Sequence, residues 1–296
     1  MRTILLLLVA IACAAADAIV IRHDVDDTKY IASFADFPPL ATFYLDGAHG
    51  TLIKPEWIIT AAHATFCVDA GRFVKVGDGL YEVKRAYIHN EYQPGISHDI
   101  ALVELTEKVR NIEPAKLYKD TNEAGSNVWF IGIGGTGTGE AGQTADNYEN
   151  GGVLRKAQNK VVSAQDAYLR FIFDSGDNAL PLEGVSGSGD SGGPAFIKDT
   201  EGYFLLGISS RVESGTLGKY GVSEIYTRTS FFVPWIKQII EGTEEVRRGL
   251  SLPELKQLPA GLNKEILPAV CNDIALKPNQ AITIPAPVQL YLVPYR

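Results

Sequence analysis

Apolar positions along the chain come in short runs separated by clusters of Gly, Pro, Asn and Asp. Ala41-Thr42-Phe43-Tyr44-Leu45, Trp57-Ile58-Ile59-Thr60, Asn127-Val128-Trp129-Phe130-Ile131, Gly202-Tyr203-Phe204-Leu205-Leu206 and Ser223-Glu224-Ile225-Tyr226-Thr227 are rich in β-branched and aromatic residues and too short for helices. Helical spacing is confined to two stretches. Phe231 to Ile240 puts Phe232, Trp235, Ile236 and Ile239 on one face, and Ala164 to Phe171 predicts a second helix. Lys119-Asp120-Thr121-Asn122-Glu123 breaks the pattern within Tyr118 to Ser126 and predicts a link between two β-halves. Gly134 to Gly152 reads as a long surface loop. After Gly242 the texture changes, with seven of the 15 prolines in the last 55 residues, so 242–296 reads as an appended extension.

The first residues have a different pattern. Arg2, the apolar run Ile4 to Ala12 and the small residues Ala14-Ala15-Ala16-Asp17-Ala18 predict a signal peptide, residues 1–18, cut after Ala16 or Ala18. Cys13 sits in a poor lipoprotein context, with Ala10 where such sites prefer an aliphatic residue, and is read as part of the signal. No later apolar run reaches the ~18 residues of a membrane helix, so no span is expected. The destination is extracellular, or periplasmic in a Gram-negative bacterium. The leader carries one base, Arg2, and one acid, Asp17, so the net charge of −8 is unchanged without it. That charge excludes a general nucleic-acid binder. With 46% hydrophobic residues the chain can bury a large core. Only Cys67 and Cys271 remain beyond the leader, allowing one disulfide, and pairing would clamp the extension to the first β-half.

Three short segments carry candidate chemistry. Gly189-Asp190-Ser191-Gly192-Gly193-Pro194 sets a serine among glycines, which let the backbone approach a substrate and aim N–H groups at a developing oxyanion. Thr60-Ala61-Ala62-His63 supplies a general base. His98-Asp99-Ile100-Ala101-Leu102 supplies a carboxylate, Asp99, able to fix the imidazole tautomer. The Gly189-x-Ser191-x-Gly193 spacing also fits a hydrolase nucleophile elbow. That fold needs its histidine after the serine, whereas all five here, at 23, 49, 63, 89 and 98, precede it. Gly132-x-Gly134-x-x-Gly137 matches a dinucleotide fingerprint only weakly, because no helix pattern follows.

Taken together, these motifs resemble the trypsin/chymotrypsin-like serine proteases over residues 19–241. The resemblance implies an all-β fold of two antiparallel β-barrels, about 19–120 and 125–230, with a C-terminal helix over 231–241. It also implies a triad of His63, Asp99 and Ser191 in the cleft between the barrels, an oxyanion hole of the Gly189 and Ser191 N–H groups, and Ser210 supporting Asp99. A new Ile19-Val20 N-terminus, exposed by cleavage after Ala18, would pair with Asp190. Against that, Ile21-Arg22 replaces the family's Gly-Gly and is bulkier. Backbone N–H groups or another cation are alternative partners for Asp190.

The departures bear on specificity. Ala48 and Ala64 stand where the family has a disulfide beside the histidine, and Gly187 where it has a cysteine before the serine. Val185 replaces the acid at the base of trypsin's specificity pocket, Val212 replaces a wall glycine, and Glu224 offers a carboxylate from the side. Glu224 could instead pair with Arg211 or Lys219, or face water. The expected protein is a monomeric, secreted endopeptidase acting on peptides or proteins, with no metal or organic cofactor. Two rivals stay open: a catalytically silent homologue that binds proteins, and an esterase using the same triad.

Overall fold

The computed structural model describes residues 19–259 and 261–278; the leader, residues 1–18, lies outside them. Six strands, Leu40–Tyr44, Gly47–Lys54, Trp57–Thr60, Phe73–Val76, Gly79–His89 and Ala101–Leu105, form an antiparallel barrel closed by pairing of the last two. Trp57-Ile58-Ile59-Thr60 and Ala101-Leu102-Val103-Glu104-Leu105 are buried throughout and pair in register from Trp57↔Glu104 to Thr60↔Ala101. That pairing sets the residues just after Thr60 beside those just before Ala101.

A second antiparallel sheet runs through Arg155–Lys160, Asn127–Gly132, Pro194–Asp199, Gly202–Ser214, Ser223–Arg228, Tyr168–Ile172 and Ser163–Gln165, curling into a half-barrel. Together the two units are the chymotrypsin-like fold. Inside the second unit Phe130 stacks on Tyr226 and Phe171 meets both edge-to-face, with ring centroids 4.8 to 5.0 Å apart.

Three expectations need correction. Ala164 to Phe171 is not helical; it is a hairpin of Ser163–Gln165 and Tyr168–Ile172, turned at Asp166 with φ 47°. Leu169 and Phe171 are buried and Arg170 exposed, so the run alternates with period two. Gly134 to Gly152 is no plain surface loop. It holds strands Thr136–Thr138 and Gly142–Ala145, which join Ile19–Ile21 and Gly184–Val185 in a small separate sheet. The first barrel does not begin at residue 19, because Ile19, Ile21 and Tyr30 pack in the core of the second unit with Val128 and Phe130.

The C-terminal helix, α1 (Thr229–Glu241), crosses the other way. Its Phe232, Trp235, Ile236 and Ile239 join the first barrel's core. Glu123, from the polar link, is fully buried and accepts from Arg228 Nε at 2.8 Å and Nη2 at 2.7 Å at the start of α1. Ile19–Ile21 and α1 thus each pack against the unit on the far side from the barrel they adjoin in sequence, tying the two units together.

Candidate active site

His63 lies in a short 3₁₀ turn, Ala62–Thr65, directly after the strand Trp57–Thr60. Asp99 precedes Ala101–Leu105, the neighbouring strand. Asp99 Oδ1 accepts from His63 N at 3.0 Å, and Oδ2 lies 2.7 Å from His63 Nδ1. Ser210 Oγ donates to Oδ2 at 2.6 Å, and Thr227 Oγ1 donates to the Asp99 carbonyl at 2.8 Å. Across the cleft, His63 Nε2 meets Ser191 Oγ at 2.8 Å. Burial alone would push the Asp99 carboxyl up. The facing His63 ring and the hydrogen bonds from His63 and Ser210 outweigh it and hold Asp99 below its ordinary value. Burial likewise opposes a charge on His63, yet Asp99 leaves its pKa raised. The arrangement can draw a proton from Ser191 and stabilise the resulting imidazolium.

Backbone accounting around Ser191 is selective. Gly187 N donates to Asp190 Oδ2, Ser188 N to Gln143 Oε1, Asp190 N to Gly187 O, Gly192 N to Ser209 O and Gly193 N to Asp190 O. Among the described residues, only Gly189 and Ser191 in this run have an N–H without an acceptor. The Gly189 and Ser191 carbonyls take N–H groups from Ala48 at 2.7 Å and His49 at 2.8 Å, tying the loop to the first barrel. Gly189 has φ +89°, and a Cβ there would sit 2.6 Å from Asn147 Cβ, so only glycine fits.

Asp190 points away from the cleft into a buried cradle. Its oxygens accept from Gly134 N at 2.7 Å and Gly187 N at 2.9 Å, and burial still pushes its pKa up to about 7. A Cβ on Gly132 or Gly134 would strike the Asp190 carboxyl, which explains two glycines of the fingerprint-like run. His49 is not a counter-charge. Its Nε2 lies 3.8 Å from Asp190 but accepts from Ile133 N, and burial lowers its pKa to about 4. Ile19 is buried, runs parallel to Thr136 and has φ 61°, a strained value for a β-branched residue. Ile21 sits in the second core despite its bulk, and Arg22 turns outward to Asp24 at 2.6 Å.

A cavity of about 140 Å³ contains Ser191 and His63. On the second unit's side it is lined by Ser186, Ser209, Val212 and Glu224. Val212 and Glu224 are direct cross-strand partners and so share a face. Glu224 makes no ion pair among the described residues; Arg211 lies over the Tyr168 ring at 5.2 Å instead. Glu224 Oε2 accepts only a long bond from Ser186 N, 3.3 Å, and burial pushes its pKa up to about 8, with Asp190 adding to the effect. Val185 is set apart from this wall. It pairs with Val20 and packs with Phe173 and Val222 behind the cavity, leaving the buried Ser186, bonded to Tyr226, to line it.

Cys67 and Cys271 form a disulfide with Cα atoms 5.3 Å apart. Sequence reasoning missed Ser186, Ser209 and Thr227, which no motif marks, and the part the extension takes in the cavity wall. The odd placement of Cys271 was the only signal for the latter.

The family model described as Trypsin matches residues 31–236. Transmembrane protease serine 11C of the mouse, Mus musculus, is 31% identical over 224 residues, covering 69% of this chain and 51% of that protein. The chain therefore spans about half the length of that relative. No helix among the described residues is long and apolar enough to cross a membrane. With the fold, the order of the motifs and a family match over well more than half of its length all in agreement, this chain belongs to the Trypsin family of serine proteases.

Proposed function

We propose that the protein is a secreted serine endopeptidase with Ser191 as nucleophile, His63 as general base and then acid, and Asp99 as the orienting carboxylate. The reading rests chiefly on the unbroken chain Ser191–His63–Asp99–Ser210, with gaps of 2.8, 2.7 and 2.6 Å. Ser191 Oγ attacks the scissile carbonyl as His63 Nε2 takes its proton. The carbonyl oxygen becomes an oxyanion held by the Gly189 and Ser191 N–H groups. His63 then protonates the departing amine, leaving an acyl-enzyme, and water repeats the steps in reverse. No triad member is lost, which favours an enzyme over a silent homologue. Labelling with an organophosphate tests this: stoichiometric modification of Ser191 is expected, and no labelling of the mature protein would leave the silent homologue as the better account.

Glu224 selects a basic side chain before the scissile bond. It is the one carboxyl in its wall, lacks a cation, and is desolvated, so an entering guanidinium or ammonium would find an unpaired partner. Activation is by cleavage before Ile19. A cut there removes the preceding carbonyl that makes φ 61° costly, and creates the ammonium that Asp190 lacks.

A further inference from the structure

The described part of the extension, up to residue 278, reaches the cleft. After α2 (Glu244–Gly249), Ser251–Leu252 adds an edge to the first barrel beside Ile88 and His89. The chain returns as α3 (Leu267–Asp273), whose Cys271 is bonded to Cys67, four residues beyond His63. Leu45 N donates to Ile274 O at 2.9 Å, and Ala275 and Leu276 bridge to Tyr44 and Phe73. Val270, Cys271, Ala275 and Leu276 are buried, so this is a fastened piece of the first barrel.

The cavity that holds Ser191 and His63 is lined on this side by Phe66, Leu262, Val270 and Ile274. Every side-chain atom these four residues present is carbon. Tyr44, beside them, spends its hydroxyl on the Ala64 carbonyl at 2.7 Å. The one carboxyl here, Asp46, is pushed above its ordinary value by burial. The second unit's wall, with Ser186, Ser209, Arg211 and Glu224, is polar by contrast.

The chemistry assigns direction to these walls. His63 must hand its proton to the leaving amine, so the residues that follow the scissile bond depart on the histidine's side, over the first barrel. We infer that the extension forms the leaving-group side of the substrate cleft, and that Leu262, Val270 and Ile274, with Phe66, make an apolar subsite for the first side chains after the scissile bond. This rests on the endopeptidase reading above. Covering such a side chain removes apolar area from water on both partners, which is worth about tenfold in kcat/KM for leucine over glycine.

The test uses internally quenched peptides identical up to the scissile bond and carrying Leu-Leu or Gly-Gly directly after it. A coumarin amide of the same acyl part is run alongside. The wild-type protein is expected to prefer Leu-Leu about tenfold, and Leu262→Asp and Ile274→Asp to bring that ratio close to one. The ratio is taken within one preparation, so it does not depend on how much protein folds. Both side chains are half-buried, but Ile274 packs against the first barrel's core and Leu262 is not part of it, which makes the Leu262 variant the safer of the two. Equal rates for the two peptides, or a preference that survives in both variants, would overturn the inference alone. No turnover of the amide together with no labelling of Ser191 would overturn the endopeptidase reading, and this inference with it.

Discussion

The two walls of the cleft are built by opposite means. On the histidine side, closed-barrel strands fix the backbone, a disulfide fastens the segment around Cys271, and Phe66, Leu262, Val270 and Ile274 give the lining an apolar patch. On the serine side no disulfide occurs among the described residues. Glycine turns, backbone N–H groups and two buried carboxyls, Asp190 and Glu224, do the holding. Covalent and apolar fastening is indifferent to charge. Hydrogen-bonded carboxyls without cations are not, and both have pKa values displaced upward, to about 7 and about 8. On the function proposed above, the difference means that the polar wall is the one whose state changes, on maturation for Asp190 and on substrate entry for Glu224.

The sharpest break comes at Ser191. Its replacement by alanine removes one oxygen on a turn whose other contacts are backbone, so folding should be retained while peptide hydrolysis falls by about 10³-fold or more. Unchanged turnover with a normal melting curve would rule out the assignment. Next in size is the Asp190 cradle. Retaining one extra residue before Ile19 should cost about 10²-fold in kcat/KM, the order lost when an oxyanion donor is misplaced. N-terminal sequencing of the active protein should find Ile19 first; a different start, or full activity with the added residue, would sink the activation reading.

How much of this was readable beforehand depends on what each residue needs from its neighbours. His63, Asp99 and Ser191 each sit in a short motif because chemistry fixes the adjoining backbone: a strand end, a turn, a run of glycines. Their order alone excluded the nucleophile-elbow fold. Ser186 and Thr227 act through single hydroxyls placed by strand register, and register leaves no local trace. Val185 illustrates the same limit, since its side of the strand was decided by pairing with Val20. The hairpin at 163–172 reads as a helix in sequence because Leu169, Phe171 and their neighbours suit either period over so short a run. The extension was legible as a change in composition, but its place in the cleft follows from one cysteine whose partner lies 204 residues away.

Glu224 offers a smaller effect that separates the walls by charge. Glu224→Gln keeps the shape and removes the ionisable group, and kcat/KM for substrates with arginine or lysine before the scissile bond should fall about 30-fold, with a much smaller change for leucine. The pH dependence has a definite sign. A cation binds the carboxylate, and the empty site holds its proton up to about pH 8. KM for the basic substrate should therefore fall as pH rises towards 8, on top of the His63 limb, and lose that dependence in the glutamine variant. A KM flat across this range would mean that Glu224 does not meet the substrate.

The least drastic change is Ser210→Ala, on the second unit's strand Gly202–Ser214 where it reaches across to Asp99. Asp99 keeps both of its contacts to His63 and the Thr227 bond to its carbonyl, so the triad should stay aligned and kcat/KM should drop only about threefold to tenfold. Acid stability is the more telling measurement. The folded Asp99 titrates below its ordinary value, so the stability it contributes is present above that value and is lost as pH falls through the folded pKa. Removing the Ser210 hydroxyl takes away one cause of the depression, so the midpoint of acid unfolding should move to higher pH. Monitored by circular dichroism, an unmoved midpoint alongside a tenfold or greater loss of activity would place Ser210's role with the substrate backbone rather than with Asp99.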